Sequence, residues 1–296
     1  MPLSQSSPSS SKNGAEPSRI AVSLQSSFLG FFAHAGFINA LTASGIYPQK
    51  ISGSSAGALV AAAYASGLQG NALRDYILNP KLQGSFREWS AILRIPLVMA
   101  FYHGHGFVTG KKATRYLRET LPVGMIEDTP LAELSISVSN LTEQRGEIVH
   151  QGEIAPYVVA SCAAAPVIRS QEIDGQHFID GGFTDESPFE QWLDDPDIDT
   201  IIIHRIGDAD EQPSSLGLRS NYISCYAAMH HVTADKMLEY RLEAAAARNK
   251  KIIIHETKAH RTGLLPSSEL TQKNYDAAFS QWADSEAEKR IQPNTL

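Results

Sequence analysis

The sequence predicts an α/β protein built on a mostly parallel sheet, and three features carry that prediction. Short apolar runs suited to buried strands recur at residues 19–24, 50–52 and 200–206. A segment with helical apolar spacing separates the first two. The second run enters a glycine-serine turn that opens onto an alanine-rich stretch. Strand, helix, strand, tight turn and helix in that order imply right-handed crossovers, which leave the strands parallel and the helices against the sheet.

Along the chain, residues 1–18 are rich in Ser, Pro, Asn and Gly and contain no apolar run. They cannot bury enough surface to offset the entropy of ordering, so a disordered tail is expected, with a single domain at 19–296. Residues 19–24 read as the first strand. Residues 36–44 carry Phe37, Ile38, Ala40 and Leu41 at helical spacing, with Gly45 as a stop. Residues 56–66 read as a helix ending at Gly67. Helical pieces follow at 73–78 and 85–101, interrupted by Pro80 and Pro96. Gly104, Gly106 and Gly110 punctuate a loop, and 111–121 resumes a helix. Residues 134–140 (LSISVSN) alternate apolar and small polar side chains as a strand does, and 147–150 can pair with them. A helix is expected at 155–163, stopping before Pro166, then strands at 177–180 and 200–206. A long helix at 222–249, a buried strand at 251–255 and a closing helix at 271–290 complete the chain.

Composition narrows the function. Of 296 residues, 43% are hydrophobic and 19% charged, as in ordinary globular proteins. The formal charge of -7 argues against a nucleic-acid partner. Cys162 and Cys225 are too few for a disulfide framework and suit a reducing compartment, where both are expected to be buried packing residues. The apolar stretches at 56–65 and 95–101 are too short to span a bilayer, and the tail lacks the apolar core of a secretory signal. A cytoplasmic protein is expected, with membrane contact, if any, peripheral at the surface. No residue pattern selects an oligomeric state. Asn140-Leu141-Thr142 matches a glycosylation acceptor, incidental without a secretory signal. The apolar cluster from Ile92 through Phe101, beside the glycine loop, reads as a core helix, with a lid or acyl-chain wall as the alternative.

The chemistry centres on Gly53-Ser54-Ser55-Ala56-Gly57. A serine hydroxyl is a weak nucleophile and needs exposure, a base and oxyanion stabilisation. G-x-S-x-G between a strand and a helix supplies the first: Gly53 and Gly57 permit a tight turn that projects Ser55 at the start of a helix. A serine-glycine helix cap without chemistry is the alternative. Among ten histidines, His204 follows a strand and is the candidate for a triad partner. The His103-Gly104-His105 and His230-His231 pairs lack completing ligands, so no metal or other cofactor is expected. Asp180 ends a short strand before Gly181-Gly182, where the strand ends of an open sheet form a ligand crevice. A desolvated carboxylate there can take a serine proton directly, although taken alone the residues read first as an ordinary Asp-Gly turn.

Together these segments resemble the patatin-like phospholipase family. Residues 51–60 (ISGSSAGALV) followed by 64–67 (YASG) resemble the nucleophile segment of its bacterial members. Residues 33–36 (AHAG), leading to Gly45-Ile46, resemble the helix after its oxyanion loop. Residues 159–166 (VASCAAAP), then 173–175 (IDG) and 178–182 (FIDGG), resemble the segment carrying its aspartate. The resemblance covers about residues 20–190. It implies a three-layer α/β/α sandwich and a lipid acyl hydrolase with Ser55 as nucleophile and Asp180 as base, without a histidine triad. The implied substrate is a lipid or other ester, cleaved through an acyl-enzyme. A catalytically silent lipid- or protein-binding scaffold and an acyltransferase are the rival readings. The chain departs from the family at residues 25–32 (QSSFLGFF), where a glycine-rich oxyanion loop with a basic residue is usual. Only Gly30 remains there, and Ser26, Ser27 and Phe28 stand where the glycines would be. The bulky Phe28 and Leu29 are expected to narrow the entrance. His34 is expected to hydrogen-bond on the helix side, with orientation of this loop as its alternative role.

Overall fold

The computed structural model describes residues 19–28, 30–100, 106–209, 222–260, 262 and 266–285, without the side chains of Met99 and residues 222–231. The tail at 1–18, Leu29, the His103 and His105 loop, the side chains of Cys225, His230 and His231, and residues 286–290 of the closing helix therefore lie outside the described residues.

The first element among the described residues is β1 (Ile20–Leu24), every residue of which is buried. A run apolar on both faces can only be satisfied inside a sheet covered on both sides. α1 (Phe31–Ala43) returns to β2 (Lys50–Ser54), and α2 (Ala56–Ala65) leaves from its end. All ten residues of α2 are buried, and its small alanines let it lie close against the sheet. α3 (Gly70–Ile77), α4 (Pro80–Ser85), α5 (Ala91–Met99) and α6 (Lys111–Thr120) precede β3 (Glu133–Asn140) and β4 (Arg145–Val149). Asn79 caps α4 by accepting the Lys81 amide, with Pro80 in the first turn, where its missing N–H costs nothing. α7 (Ile154–Ser161), the hairpin β5 (Gln171–Ile173) and β6 (Gln176–Asp180), β7 (Thr200–Asp208), α8 (Tyr222–Ala247), β8 (Lys251–Ala259) and α9 (Ser268–Ala283) complete the order.

The sheet runs β5-β6-β3-β2-β1-β7-β8, with β4 also paired to β3. Neighbours from β3 to β8 in that order are parallel; β4, β5 and β6 pair antiparallel. The two-residue period of β7 divides the core. Ile201 and Ile203 pack with Ala21, Trp192 and Ala245 on one face, while Ile202 joins Val22, Phe32 and Ile38 on the other. Helices cover both faces, giving the three-layer α/β/α sandwich. Phe37 and Trp282 are fully buried between α1, α9 and the sheet, and burial of such a side chain is worth about 1.5–3 kcal/mol.

The structure departs from expectation most clearly in three places. α1 begins five residues ahead of the predicted helix start, because Phe31, Phe32, Ala33 and His34 are all buried and continue its first turn. β5 was not expected as a strand; it exists as the outer arm of a hairpin turned at Asp174-Gly175, both with positive φ. The apolar cluster on α5 is not core. Trp89, Leu93 and Ile92 are 91%, 77% and 60% exposed, with Ile95 and Leu97 also open to solvent. A helix apolar on every side has one face more than the protein covers. Its inner side is held by Arg94, which donates to Glu88, Ser90 and the Phe107 carbonyl, while Val98 alone is buried among the described side chains of this helix.

One detail of register positions everything that follows. Ile136 and Ser137 of β3 pair with β2 on one edge and with β4 on the other. Val138 to Asn140 pair with β4 and with β6. β6 therefore takes up the edge of β3 that β2 leaves. Ser54 lies opposite Ser137, and Asp180 lies opposite the next residue, Val138.

Candidate active site

The end of β2 and the end of β6 thus meet, and Ser55 meets Asp180. The Ser55 hydroxyl donates to Asp180 Oδ2 at 2.7 Å. The other carboxylate oxygen, Oδ1, accepts the Gly182 amide at 2.8 Å. Asp180 is 5% exposed, and its own carbonyl accepts from Ser139 Oγ at 2.8 Å. The carboxylate is fixed on one side by main chain and presents its remaining oxygen to the serine.

Ser55 has φ 52° and ψ -119°, a conformation L side chains rarely adopt and one that costs about 1–3 kcal/mol. Neighbours hold it there. Its amide donates to Ser161 Oγ at 2.8 Å, and Ser161 in turn donates to the Ser137 carbonyl at 2.7 Å. The Cys162 thiol donates to the Ser55 carbonyl at 3.3 Å. Burial, with the Asp180 charge beside it, pushes that thiol well above its usual range, so it keeps the proton it donates. Cys162 is thus more than a packing residue, contrary to expectation.

The glycines of the turn are explained by what a Cβ would meet. At Gly53 it would fall 2.3 Å from the Gly57 main chain, and at Gly57 2.3 Å from the Leu24 carbonyl oxygen. The helix bearing the serine lies directly on β1 and β2. Gly181 approaches the Ser137 carbonyl in the same way, and Gly182 approaches Ser26 Oγ.

The four residues considered for the oxyanion separate. The Ser26 amide donates to the Glu186 carbonyl at 2.7 Å, so that N–H is already occupied. The Gly30 amide reaches Ser27 O at 3.5 Å. The amides of Ser27 and Phe28 have no hydrogen-bond partner among the described residues. Ala56 opens α2, so its N–H belongs to the first turn, where amides lack an intrahelical acceptor. Phe28 is 63% exposed at the mouth of the site.

A cavity of about 350 Å³ opens from the serine and aspartate. Phe28, Phe31, Leu59, Phe86, Val167 and Ile168 give it an apolar wall, with Arg87 and Glu186 also on its lining. Sequence alone does not single out Ser161, Glu186 or Arg87. Ser161-Cys162 could have been noticed as a polar pair closing an otherwise apolar helix; Glu186 and Arg87 carry no local signal.

His204 does not reach the serine. It is fully buried beside α1, where it bonds His34 and Thr257, and burial moves it well below 6.5. The strand period explains this: His204 shares a face with Ile202. Among the described residues no three His, Cys, Asp or Glu side chains gather to hold a metal ion. Asn140 is buried and donates to Glu147 and Gln176, which occupies the amide of the glycosylation pattern.

Comparison with known proteins agrees with this architecture. Residues 22–193, more than half of the chain, match the patatin-like phospholipase family model. The lysophospholipase NTE1 of Pyricularia oryzae is 27% identical over 186 residues, which are 62% of this chain and 12% of that protein. An uncharacterized NTE family protein of Mycobacterium bovis is 26% identical over 179 residues, 59% of this chain and 46% of that one. The chain thus spans less than half the length of these relatives. VipD from Legionella pneumophila has the same fold, with a TM-score of 0.51 at 16% identity over 94% of this chain and 67% of that one. With serine, aspartate and both glycine turns inside the matched span, the chain belongs to the patatin-like phospholipase family.

Proposed function

We propose that this chain is a serine lipid acyl hydrolase that cleaves carboxylic esters through an acyl-enzyme, with Ser55 as nucleophile and Asp180 as base. The 2.7 Å bond from Ser55 Oγ to Asp180 Oδ2, at the foot of an apolar cavity, is the observation that carries the reading. Asp180 takes the hydroxyl proton as Ser55 Oγ attacks the ester carbonyl. The oxyanion then lies before the amides of Ala56, Ser27 and Phe28. The tetrahedral adduct collapses, the ester C–O bond breaks, and the departing alcohol takes the proton from Asp180. Water, deprotonated by Asp180, attacks the acyl group, and Ser55 recovers its proton as the free acid leaves.

The shape of the cavity supports a substrate class. About 350 Å³ is at the small end of ligand pockets, which favours one acyl chain over two. A lysophospholipid fits that limit, and the name of the Pyricularia relative points the same way. Peripheral membrane contact is part of this reading. Among the described residues no helix is long and apolar enough to cross a membrane. Trp89 and the open face of α5 stand next to Phe86 and Arg87 of the cavity rim and would seat in a lipid surface.

The test compares wild type, Ser55→Ala and Asp180→Asn on p-nitrophenyl butyrate and on lysophosphatidylcholine. Each variant should lose at least about 10³-fold in kcat with its melting temperature preserved. A wild type inert to both esters that also resists a fluorophosphonate would leave only a lipid-binding scaffold.

A further inference from the structure

The loop that must supply oxyanion donors contains no cation and a single glycine, yet its first peptide is firmly held. The peptide joining Gln25 to Ser26 is gripped at both ends. Its N–H, on Ser26, donates to the Glu186 carbonyl at 2.7 Å, and its carbonyl, on Gln25, accepts from His34 Nε2 at 2.9 Å. The Gln25 side chain is fixed as well, donating to Glu186 Oε2 and accepting the Ile206 amide. The amides of Ser27 and Phe28, without a partner among the described residues, follow directly.

Behind His34 the contacts continue. His34 Nδ1 lies 2.8 Å from His204 Nδ1, and His204 Nε2 lies 2.8 Å from Thr257 Oγ1. His34, His204 and Thr257 are all fully buried, on α1, β7 and β8. Their protons can be assigned by elimination. A carbonyl only accepts, so His34 Nε2 carries hydrogen. Burial moves both rings far below 6.5, His34 to about 3, so each is neutral and has one bare nitrogen. His34 Nδ1 is then bare, and His204 Nδ1 must donate to it. His204 Nε2 is bare in turn, so the Thr257 hydroxyl donates. The chain has one direction: Thr257 to His204, His204 to His34, His34 to Gln25. Ser27 Oγ, 3.4 Å from His34 Nε2, lies beside its last link. Phe37 stacks on His204 with centroids 4.0 Å apart and keeps the ring from turning.

We infer that Thr257, His204 and His34 are positioning residues, a neutral hydrogen-bonded chain that sets the Gln25–Ser26 peptide plane and thereby aims the Ser27 and Phe28 amides at the oxyanion. The inference rests on the hydrolase reading proposed above. Thr257 touches no substrate and lies on the far side of two rings from the loop. Its hydroxyl nonetheless gives the bare His204 Nε2 its partner and closes a pattern of protons that the Gln25 carbonyl sets from the other end. Without it, His204 still donates from Nδ1 to His34, but its Nε2 is left buried and unpartnered. The ring then lacks its far anchor, and the hold on Gln25 slackens.

Thr257→Val removes the hydroxyl at nearly constant shape, and Thr257→Ser restores it. On p-nitrophenyl butyrate the Val variant should lose between about tenfold and about hundredfold in kcat, with KM changed less than about twofold, because misplaced donors are felt only in the transition state. The Ser variant should return to within about twofold of wild type. In ¹⁵N imidazole spectra His204 should be protonated at Nδ1 and His34 at Nε2 in all three proteins; in the Val variant alone the bare His204 Nε2 should lose the shift that its hydrogen bond gives it. A Val variant with wild-type kcat, a Ser variant as slow as Val, or a wild-type His204 protonated at Nε2 would each overturn the inference. The spectra need no substrate. A wild type inert to ester and fluorophosphonate refutes the hydrolase reading and, with it, the aiming role. The same inert protein with the assigned tautomers would show that the chain of bonds exists without that role.

Discussion

Lowering the pH from about 7 to about 5 should remove much of the stability of this fold before most carboxylates titrate. Three buried imidazoles set the size of the effect. Burial pushes His34 down to about 3, His255 to about 4, and His204 well below the ordinary 6.5. In the unfolded chain each ring takes a proton as the pH falls through 6.5; in the fold each stays neutral until far lower. The unfolded state therefore binds more protons throughout the window, and stability falls with pH. The loss per ring is about 1.4 kcal/mol for each pH unit below its ordinary value, hence about 2 kcal/mol at about pH 5 and about 6 for the three. A domain of this kind has about 5–15 kcal/mol in all. His150 is displaced in the same direction but is exposed, and Asp185, raised by burial, acts in the opposite sense. Urea unfolding at steps between these pH values measures the slope. His255→Phe isolates one ring. His255 stacks on Phe37, meets Trp282 edge-on and leaves Nε2 without a partner among the described residues. Phenylalanine keeps that stacking, so the variant should equal or exceed wild type at neutral pH and lose about a third of the acid slope. A free energy flat across the window, or a slope unchanged in His255→Phe, would refute the reasoning.

Three further outcomes are expected. Gly57→Ala brings a methyl within 2.3 Å of the Leu24 carbonyl oxygen and should destabilise by at least about 1–3 kcal/mol, read by thermal or urea unfolding, while also displacing the serine. Ser161→Ala leaves the Ser55 amide and the Ser137 carbonyl without their partner; kcat should fall by about tenfold and stability by about 1–3 kcal/mol, in steady-state kinetics beside a melting curve. Trp89→Ala with Leu93→Ala should reduce cosedimentation with lipid vesicles and hydrolysis of vesicle-bound lysolipid several-fold, yet leave p-nitrophenyl butyrate turnover unchanged, because these exposed side chains do not line the cavity.

The parts of this architecture that sequence made legible are those set by local chemistry. β1, β2 and α2 follow from apolar runs and a glycine-bracketed turn, and the same pattern marked Ser55. Asp180 before Gly181-Gly182 was visible as a strand end, but its nearness to Ser55 depends on two distant strands sharing one edge of β3. No local pattern encodes that register. His204 was weighed as a triad partner because it follows a strand; the period of that strand, read one residue further, turns it toward α1. The apolar stretch on α5 misled for a different reason. Hydrophobicity says that a side chain prefers to leave water, and only the surrounding fold says whether anything covers it.

The shared edge of β3 also makes activity a gauge of long-range order. Ser55 and Asp180 lie 125 residues apart in the chain, and they become neighbours only when β2 and β6 dock end to end along the same strand. Each can be locally well formed, turn and strand intact, while the pair is still separate. Turnover during refolding should therefore lag behind the recovery of helical signal and rise with the last cooperative step. In such experiments the rate of ester cleavage counts molecules in which both strands have found their place.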